Sequence, residues 1–105
     1  MNLKEIAIQA NKIEDELGIS LDAVLHKATQ EFGEFNDAIQ KYRGIYCKTS
    51  YETTKEIEGE IGDLIFNISS ALYRIGIDPD NMIQYANNTL SKFNERKKSY
   101  KSTQK

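Results

Sequence analysis

The fold of this chain is decided by residues 20–44, SLDAVLHKATQEFGEFNDAIQKYRG. Apolar residues recur there at intervals of three and four, which is the spacing of one face of an α-helix. Ser20 is a residue type that caps helix starts, and Gly44 is one that follows helix ends. The apolar stripe consists of Leu21, Val24, Leu25, Ala28, Phe32, Phe35, Ile39 and Tyr42. The stretch therefore predicts one long amphipathic helix.

Two further helices are predicted on either side of this stretch. Residues 3–17 carry apolar residues at helical spacing, and Gly18 follows as a residue suited to a left-handed helix stop. Thr49 and Glu52 have the spacing of a capping box, which opens a third helix. The apolar stripe of that helix consists of Ile57, Ile61, Leu64, Ile65, Ile68, Leu72 and Ile75.

A fourth helix is predicted from Asp78 and Pro79, an N-cap followed by a first-turn proline, and it runs into the nineties. No stretch alternates with period two for long enough to indicate a sheet. The sequence thus predicts an all-α fold of four helices with short connections. We expect one domain over residues 1–97, and a polar C-terminal tail over 98–105 that frays.

Composition narrows the function classes. The 105 residues carry a net charge of -2, with 39% hydrophobic and 29% charged residues, which argues against a polymeric nucleic acid or a membrane as partner. The amino end lacks the apolar stretch of a signal peptide, so we expect a cytoplasmic protein. Because Cys47 and His26 are the only residues of their types, neither an internal disulfide nor a Cys/His zinc cluster is expected.

Two acidic pairs are the strongest indication of function: Glu31-Phe-Gly-Glu34 and Glu60-Ile-Gly-Asp63. Residues three apart on a helix are surface neighbours, so each pair presents two carboxylates on one side. Antiparallel packing of the second and third helices brings these sides together and crowds four negative charges. Hard divalent cations such as Mg²⁺ relieve such crowding. Either pair alone is typical of a solvated helix face, but both pairs beside apolar stripes favour a metal site.

The same packing predicts a seam of Phe35, Ile39, Ile61 and Ile65 beside the acids. On the fourth helix, Asn88, Lys92 and Arg96 recur every four residues and stack three donor groups along one edge. Such donors suit the far side of a phosphate chain bound to a metal. The alternative is a basic last turn that complements the helix dipole.

Two other interpretations of the pattern compete with a magnesium site. A di-iron carboxylate bundle normally uses two Glu-x-x-His motifs, whereas His26 is the single histidine and stands five positions before Glu31. A non-catalytic helical interaction module is the alternative function, because Phe66 and Tyr73 lie away from the main stripe of the third helix and form a second apolar surface. That surface fits a foreign partner or self-association, and we prefer homo-oligomerisation.

The sequence resembles the MazG-like all-α nucleoside triphosphate pyrophosphohydrolases, a superfamily that also contains dimeric dUTPases. The resemblance rests on ExxE, a spacer of twenty-five residues and ExxD, within the strings Gln-Glu-Phe-Gly-Glu-Phe and Gly-Glu-Ile-Gly-Asp-Leu-Ile-Phe. The later string Arg74-Ile-Gly-Ile-Asp-Pro-Asp and the basic edge of the fourth helix are similar to the third motif of the family. The similarity spans roughly residues 20 to 97.

The resemblance implies a MazG-like four-helix bundle completed as a homodimer or homotetramer. It implies Mg²⁺ dependence, with Mn²⁺ as a substitute, and cleavage of a nucleoside triphosphate to monophosphate and pyrophosphate, a house-cleaning reaction on non-canonical nucleotides. The implied metal-binding and catalytic residues are Glu31, Glu34, Glu60 and Asp63. The implied substrate-binding residues are Lys92 and Arg96 for phosphates, and Asn67 and Asn88 for the nucleotide. The chain has no tryptophan, which several relatives place near the base, so base specificity is not transferred.

Overall fold

The structure, a computed structural model, describes residues 1–45 and 51–103, excepting the side chains of residues 51–53 and 100–103. Within these ranges no strand occurs, and none of the helices is both long and apolar enough to cross a bilayer. The elements are α1 (Leu3–Leu17), α2 (Leu21–Tyr42), α3 (Tyr51–Arg74), a 3-10 turn (Pro79–Asn81) and α4 (Met82–Thr103). The predicted all-α class and its four helices are confirmed.

Local hydrogen bonds explain where the first two helices begin and end. The Asn2 side chain accepts a hydrogen bond from the Glu5 N–H at 2.8 Å and caps α1. Ser20 Oγ accepts from the Ala23 N–H at 3.1 Å, so the predicted cap of α2 is confirmed. Gly18 adopts a left-handed φ of 70°, which confirms the predicted stop. The Gly18 stop ends α1 and the Ser20 cap starts α2, so the chain turns between the two helices.

Asp78 is confirmed as a capping residue, but α4 begins later in the chain than predicted. Asp78 Oδ1 accepts from the Asp80 N–H at 2.9 Å, but this cap opens the 3-10 turn, and α4 begins at Met82. Asp80 Oδ1 in turn accepts from the Leu3 N–H at 3.0 Å, which ties the turn to the start of α1. At its other end α4 continues to Thr103, past the boundary predicted at residue 97.

Two details of the sequence analysis lie outside the described residues. The capping box predicted for α3 needs Thr49 and the Glu52 side chain, and Cys47 belongs to the same connection. Fraying of the polar tail stays a prediction.

The core is built from small residues. Ala7, Ala10, Ser69, Ser70 and Ala71 are all buried where α1 meets α3. Small side chains let the two helix backbones approach closely, and the consequence is that many larger apolar side chains remain at the surface.

The predicted apolar seam is thus only partly enclosed. Phe35 and Ile39 on α2 are half-buried, while Ile61 and Ile65 on α3 are 38% and 39% exposed. Phe32, which belongs to the predicted stripe of α2, is 59% exposed. Such a row of uncovered large side chains is unusual for a chain whose surface meets only water.

α4 does not pack against the other helices. Among the described residues it contacts the 3-10 turn and none of α1, α2 or α3, and every residue from Ile83 to Ser99 is exposed. One chain therefore forms a bundle of three helices from which α4 projects, with a longest dimension of 59 Å. Completion of a four-helix bundle by a second copy remains a prediction.

Candidate metal centre

Antiparallel packing of α2 and α3 brings the two acidic motifs to the same level. Glu31 lies beside Asp63, and further along Lys41 shares a small cleft with Glu56. Residues later in α2 therefore lie opposite residues earlier in α3, so the two helices are antiparallel. The pairing is the one expected of consecutive helices joined by a short connection.

The carboxylates of three predicted ligands converge. One oxygen from each of Glu31, Glu60 and Asp63 lies within 4.8 Å of the others. The Glu34 carboxylate interacts with those of Glu31 and Glu60. The structure therefore places all four predicted acids in one cluster, which we call the acid cluster.

Burial within the acid cluster is graded. Glu31 is only 4% exposed, Glu60 is half-buried and Asp63 is exposed. Glu31 is buried because it occupies the same line of α2 as the core residues Val24 and Ala38, at intervals of seven residues. The acid cluster therefore has a buried inner end and a solvent-exposed outer end.

Two oxygens of the acid cluster are buried without a partner. Within the described part of the chain, neither Glu31 Oε2 nor Glu60 Oε2 accepts a hydrogen bond from an amide, hydroxyl or ammonium group, so only a proton shared between carboxyl groups or a bound cation can serve them. A buried carboxylate oxygen without a donor or a cation is strongly disfavoured. The candidate ligand atoms are all hard oxygen atoms, the set preferred by Mg²⁺, and among the residues that the structure describes no cysteine or histidine joins them. The residues present fit a hard divalent cation such as Mg²⁺.

The crowding of carboxylates in the acid cluster changes their pKa values. Burial first of all, and then the adjacent Glu34 and Glu31 carboxylates, raise the pKa of Glu60 to about 7. The pKa of Glu31 is lowered instead, first of all because Lys27 donates a hydrogen bond to it. Without a metal ion, Glu60 is therefore the carboxyl group that holds a proton near neutral pH.

Lys27 is a member of the site that the sequence analysis missed. Its Nζ lies 3.1 Å from Glu31 Oε1, and the pKa of Lys27 is raised, mainly by that hydrogen bond. A signal was present in the sequence, because a lysine four positions before a glutamate lies on the same side of a helix. Lys27 supplies positive charge to the inner end of the acid cluster.

Asn67 lies next to the acid cluster, as expected from its position one turn after Asp63. It is buried, and its Nδ2 donates a hydrogen bond to the Asp63 backbone carbonyl at 2.9 Å. Its side chain also lines a cavity between α1, α2 and α3. The location suits the predicted contact with a nucleotide.

The predicted donors of α4 lie elsewhere in a single chain. Asn88, Lys92 and Arg96 are exposed on a helix that contacts neither α2 nor α3 among the described residues. The fold of one chain does not bring them to the acid cluster. Their role as phosphate and nucleotide ligands remains a prediction, and it requires α4 to meet the site by another route.

The fold and the site together define an all-α protein that gathers carboxylates from two antiparallel helices into one cluster. Comparison with protein-family models matches residues 19–100 to the MazG nucleotide pyrophosphohydrolase domain, and the chain belongs to that family. The resemblance seen in the sequence is thereby confirmed. Comparisons with curated proteins and with solved structures found no match. The matched range includes both acidic motifs and begins after α1.

Proposed function

We propose that this protein is a Mg²⁺-dependent nucleoside triphosphate pyrophosphohydrolase that releases a nucleoside monophosphate and pyrophosphate, with Mn²⁺ as a substitute ion. The observation that carries the proposal is the pair of buried, unpartnered oxygens of Glu31 and Glu60 inside the acid cluster. Membership of the MazG family supports the reaction class. We further propose that the protein acts in the cytoplasm and removes non-canonical nucleotides.

The acid cluster has the features that this reaction needs. A bound Mg²⁺ supplies charge neutralisation for the phosphate oxygens and lowers the pKa of water. Glu31 is held rigidly by burial and by Lys27, so its oxygens have a fixed position. Glu60 has a raised pKa while no ion is bound, so it would give up its proton when it becomes a ligand of the ion. One of the four acids orients the attacking water, while the rest hold the ion.

The uncovered apolar surface supports a homodimer or homotetramer. On α4, Ile83, Leu90 and Phe93 follow helical spacing, and all three are at least 66% exposed. Ile61 and Ile65 on α3 are also uncovered in one chain. We infer that α4 of one copy covers apolar surface of another, because such a row of large side chains is otherwise left in water.

Charge favours the same arrangement. From residue 92 onward α4 carries five basic residues and one acidic residue, opposite in sign to the acid cluster. A second copy whose α4 crosses the site brings Asn88, Lys92 and Arg96 to the phosphates. The proposed active site is then shared between subunits.

A non-catalytic interaction module is the second candidate, and the projecting α4 is the observation that favours it. The two candidates differ in their response to Mg²⁺. The hydrolase binds the ion in its folded state, and its melting temperature rises accordingly. The module shows neither this shift nor release of pyrophosphate.

The deciding experiment is a panel of nucleoside triphosphates incubated with the protein and Mg²⁺, with pyrophosphate as the readout. Glu60→Gln should abolish release while keeping the fold, since it removes one ligand charge at nearly constant volume. Glu58→Gln is the matched control, because Glu58 is an exposed glutamate on the same helix. Parental rates in Glu60→Gln, or no release from any triphosphate by the unaltered protein, would refute the proposal.

A further inference from the structure

A mostly apolar cavity of about 490 Å³ lies between α1, α2 and α3, directly beside the acid cluster. Lys27 lines it and pairs with Glu31, and Asn67 lines it and bonds to the backbone of Asp63. The volume falls in the usual range for small-ligand sites. Its apolar wall consists of Ala10, Ile13, Ile19, Ala23, Val24 and Phe66.

One charged side chain in the cavity wall comes from α1, an element outside the range matched to the family. Glu14 is 7% exposed, and its Oε1 accepts hydrogen bonds from Ser70 Oγ at 2.6 Å and from Arg74 Nη2 at 3.1 Å. Arg74 also donates to the Ile19 carbonyl at 2.6 Å. These contacts hold the Glu14 carboxylate in one orientation.

Glu14 contributes acceptor capacity to the cavity and no donor. Both side-chain hydrogen bonds that Glu14 receives in the described part of the chain fall on Oε1, which leaves Oε2 to accept another. Asn67 uses an N–H on the Asp63 carbonyl, and its own Oδ1 is a further acceptor. Lys27 gives one of its three N–H donors to Glu31, and Asn67 gives one of its two to the Asp63 carbonyl, so both also offer donors. A base that presents an N–H donor to Glu14 and an acceptor to Lys27 or Asn67 therefore matches this wall best.

We propose that the cavity receives the base of the nucleotide, and that Glu14 selects bases with an exocyclic amino group over uracil and thymine. The inference rests on the proposed hydrolase function. A carboxylate accepts from the amino group of cytosine, adenine or guanine, whereas uracil and thymine present a carbonyl oxygen at the position of the cytosine amino group. Two facing acceptors repel, and neither gains a hydrogen bond. The apolar walls cover the faces of the base, with Phe66 as the aromatic contact.

The matched substrates dCTP and dUTP differ in this one group and provide the test. With Mg²⁺ and pyrophosphate as the readout, we expect kcat/KM to favour dCTP by about 10- to 100-fold, the usual effect of one hydrogen bond to a charged group. Glu14→Gln, which offers a donor in place of one acceptor oxygen, should lower that ratio at least about tenfold. Glu16→Gln, an exposed acid on the same helix, is the control and should leave the ratio unchanged.

A less stable Glu14→Gln protein would not by itself change the ratio of kcat/KM, because both substrates are measured on the same variant. If Glu14→Gln fails to fold, Ala23→Trp serves instead, since Ala23 lines the cavity from an exposed position. It should raise KM for dCTP about tenfold while the rise in melting temperature caused by Mg²⁺ stays the same. Hydrolysis with equal kcat/KM for dCTP and dUTP overturns this inference alone. Hydrolysis of no triphosphate overturns the proposed function and this inference with it.

Discussion

Glu60 keeps its proton at higher pH than an ordinary glutamate because burial and two neighbouring carboxylates all disfavour its charge. Its pKa is about 7 in the folded chain, against 4.5 for an unperturbed glutamate. Between these values the folded protein binds more protons than the unfolded chain. The contribution of Glu60 to stability is therefore full below about pH 4.5 and is lost as the pH rises through 7.

This difference predicts that the metal-free protein becomes less stable between pH 5 and pH 7.5, with Glu60→Gln removing most of the slope. Urea unfolding at the two pH values, with a chelator present, measures it. The lowered pKa of Glu31 acts in the opposite sense, but only below about pH 4.5, so the two effects are separated. An unchanged slope in Glu60→Gln would show that Glu60 does not titrate in this range.

Lys27 acts as the counter-ion of Glu31 when no metal ion is bound. We expect Lys27→Met to lower the melting temperature in a chelator, because it leaves the buried Glu31 carboxylate without its partner. Addition of Mg²⁺ should restore most of the loss, since the ion then neutralises the same oxygens. Thermal unfolding with and without Mg²⁺ measures both effects.

Lys41→Met is the control for Lys27→Met. Lys41 and Asp37 form an ion pair of the same spacing on the same helix, at 3.7 Å, but Asp37 is exposed. Such surface pairs contribute little. Equal losses in the two variants, or a loss in Lys27→Met that Mg²⁺ does not reverse, would contradict the role given to Lys27.

At the scale of elements, one glycine within α3 and one just after it test how far local backbone preference limits stability. A Cβ placed on Gly59 meets no atom within 4 Å, and the position is helical and exposed. Gly59→Ala should therefore stabilise the fold by about 0.5–1 kcal/mol and raise the melting temperature by several degrees. Gly76→Ala should do the reverse, because Gly76 has a φ of 87°. Calorimetry compares the two, and a destabilised Gly59→Ala would mean that another chain approaches this part of α3.

Helix boundaries were predictable because their causes lie within a few residues. The Ser20 cap and the Gly18 stop each depend on contacts with near neighbours in the chain. The predicted apolar stripes were less reliable guides to burial. Ile65 is more exposed than expected, while Ser69 and Ser70 are fully buried, because close approach of α1 and α3 selects small residues at the contact.

For the whole molecule, the projecting α4 predicts an assembly. Leu90→Asp puts a charge into the exposed apolar row of α4. It should dissociate the proposed oligomer into single chains of 12.0 kDa. It should also lose pyrophosphate release, because the partner's α4 then no longer reaches the acid cluster. Light scattering after size exclusion gives the mass. Ser91→Asp is the neighbouring control with the same added charge at an exposed polar position.

An unaltered protein that already has the mass of one chain at micromolar concentration would contradict the shared site. So would a Leu90→Asp variant that is monomeric and still hydrolyses nucleotides at the parental rate. In either case Lys92 and Arg96 would have no route to the acid cluster through a second copy.

The sequence by itself determined the all-α class, the four helices, the Gly18 stop, the Ser20 cap and the two acidic motifs, since each depends on residues close together in the chain. Only the tertiary structure decided that Glu31 is buried, that Glu60 has a pKa of about 7 and that α1 closes a cavity beside the acids. It also decided that, among the described residues, α4 contacts the 3-10 turn and none of α1, α2 and α3. Burial and pKa depend on which helix faces meet, and that choice is made by packing between residues far apart in sequence.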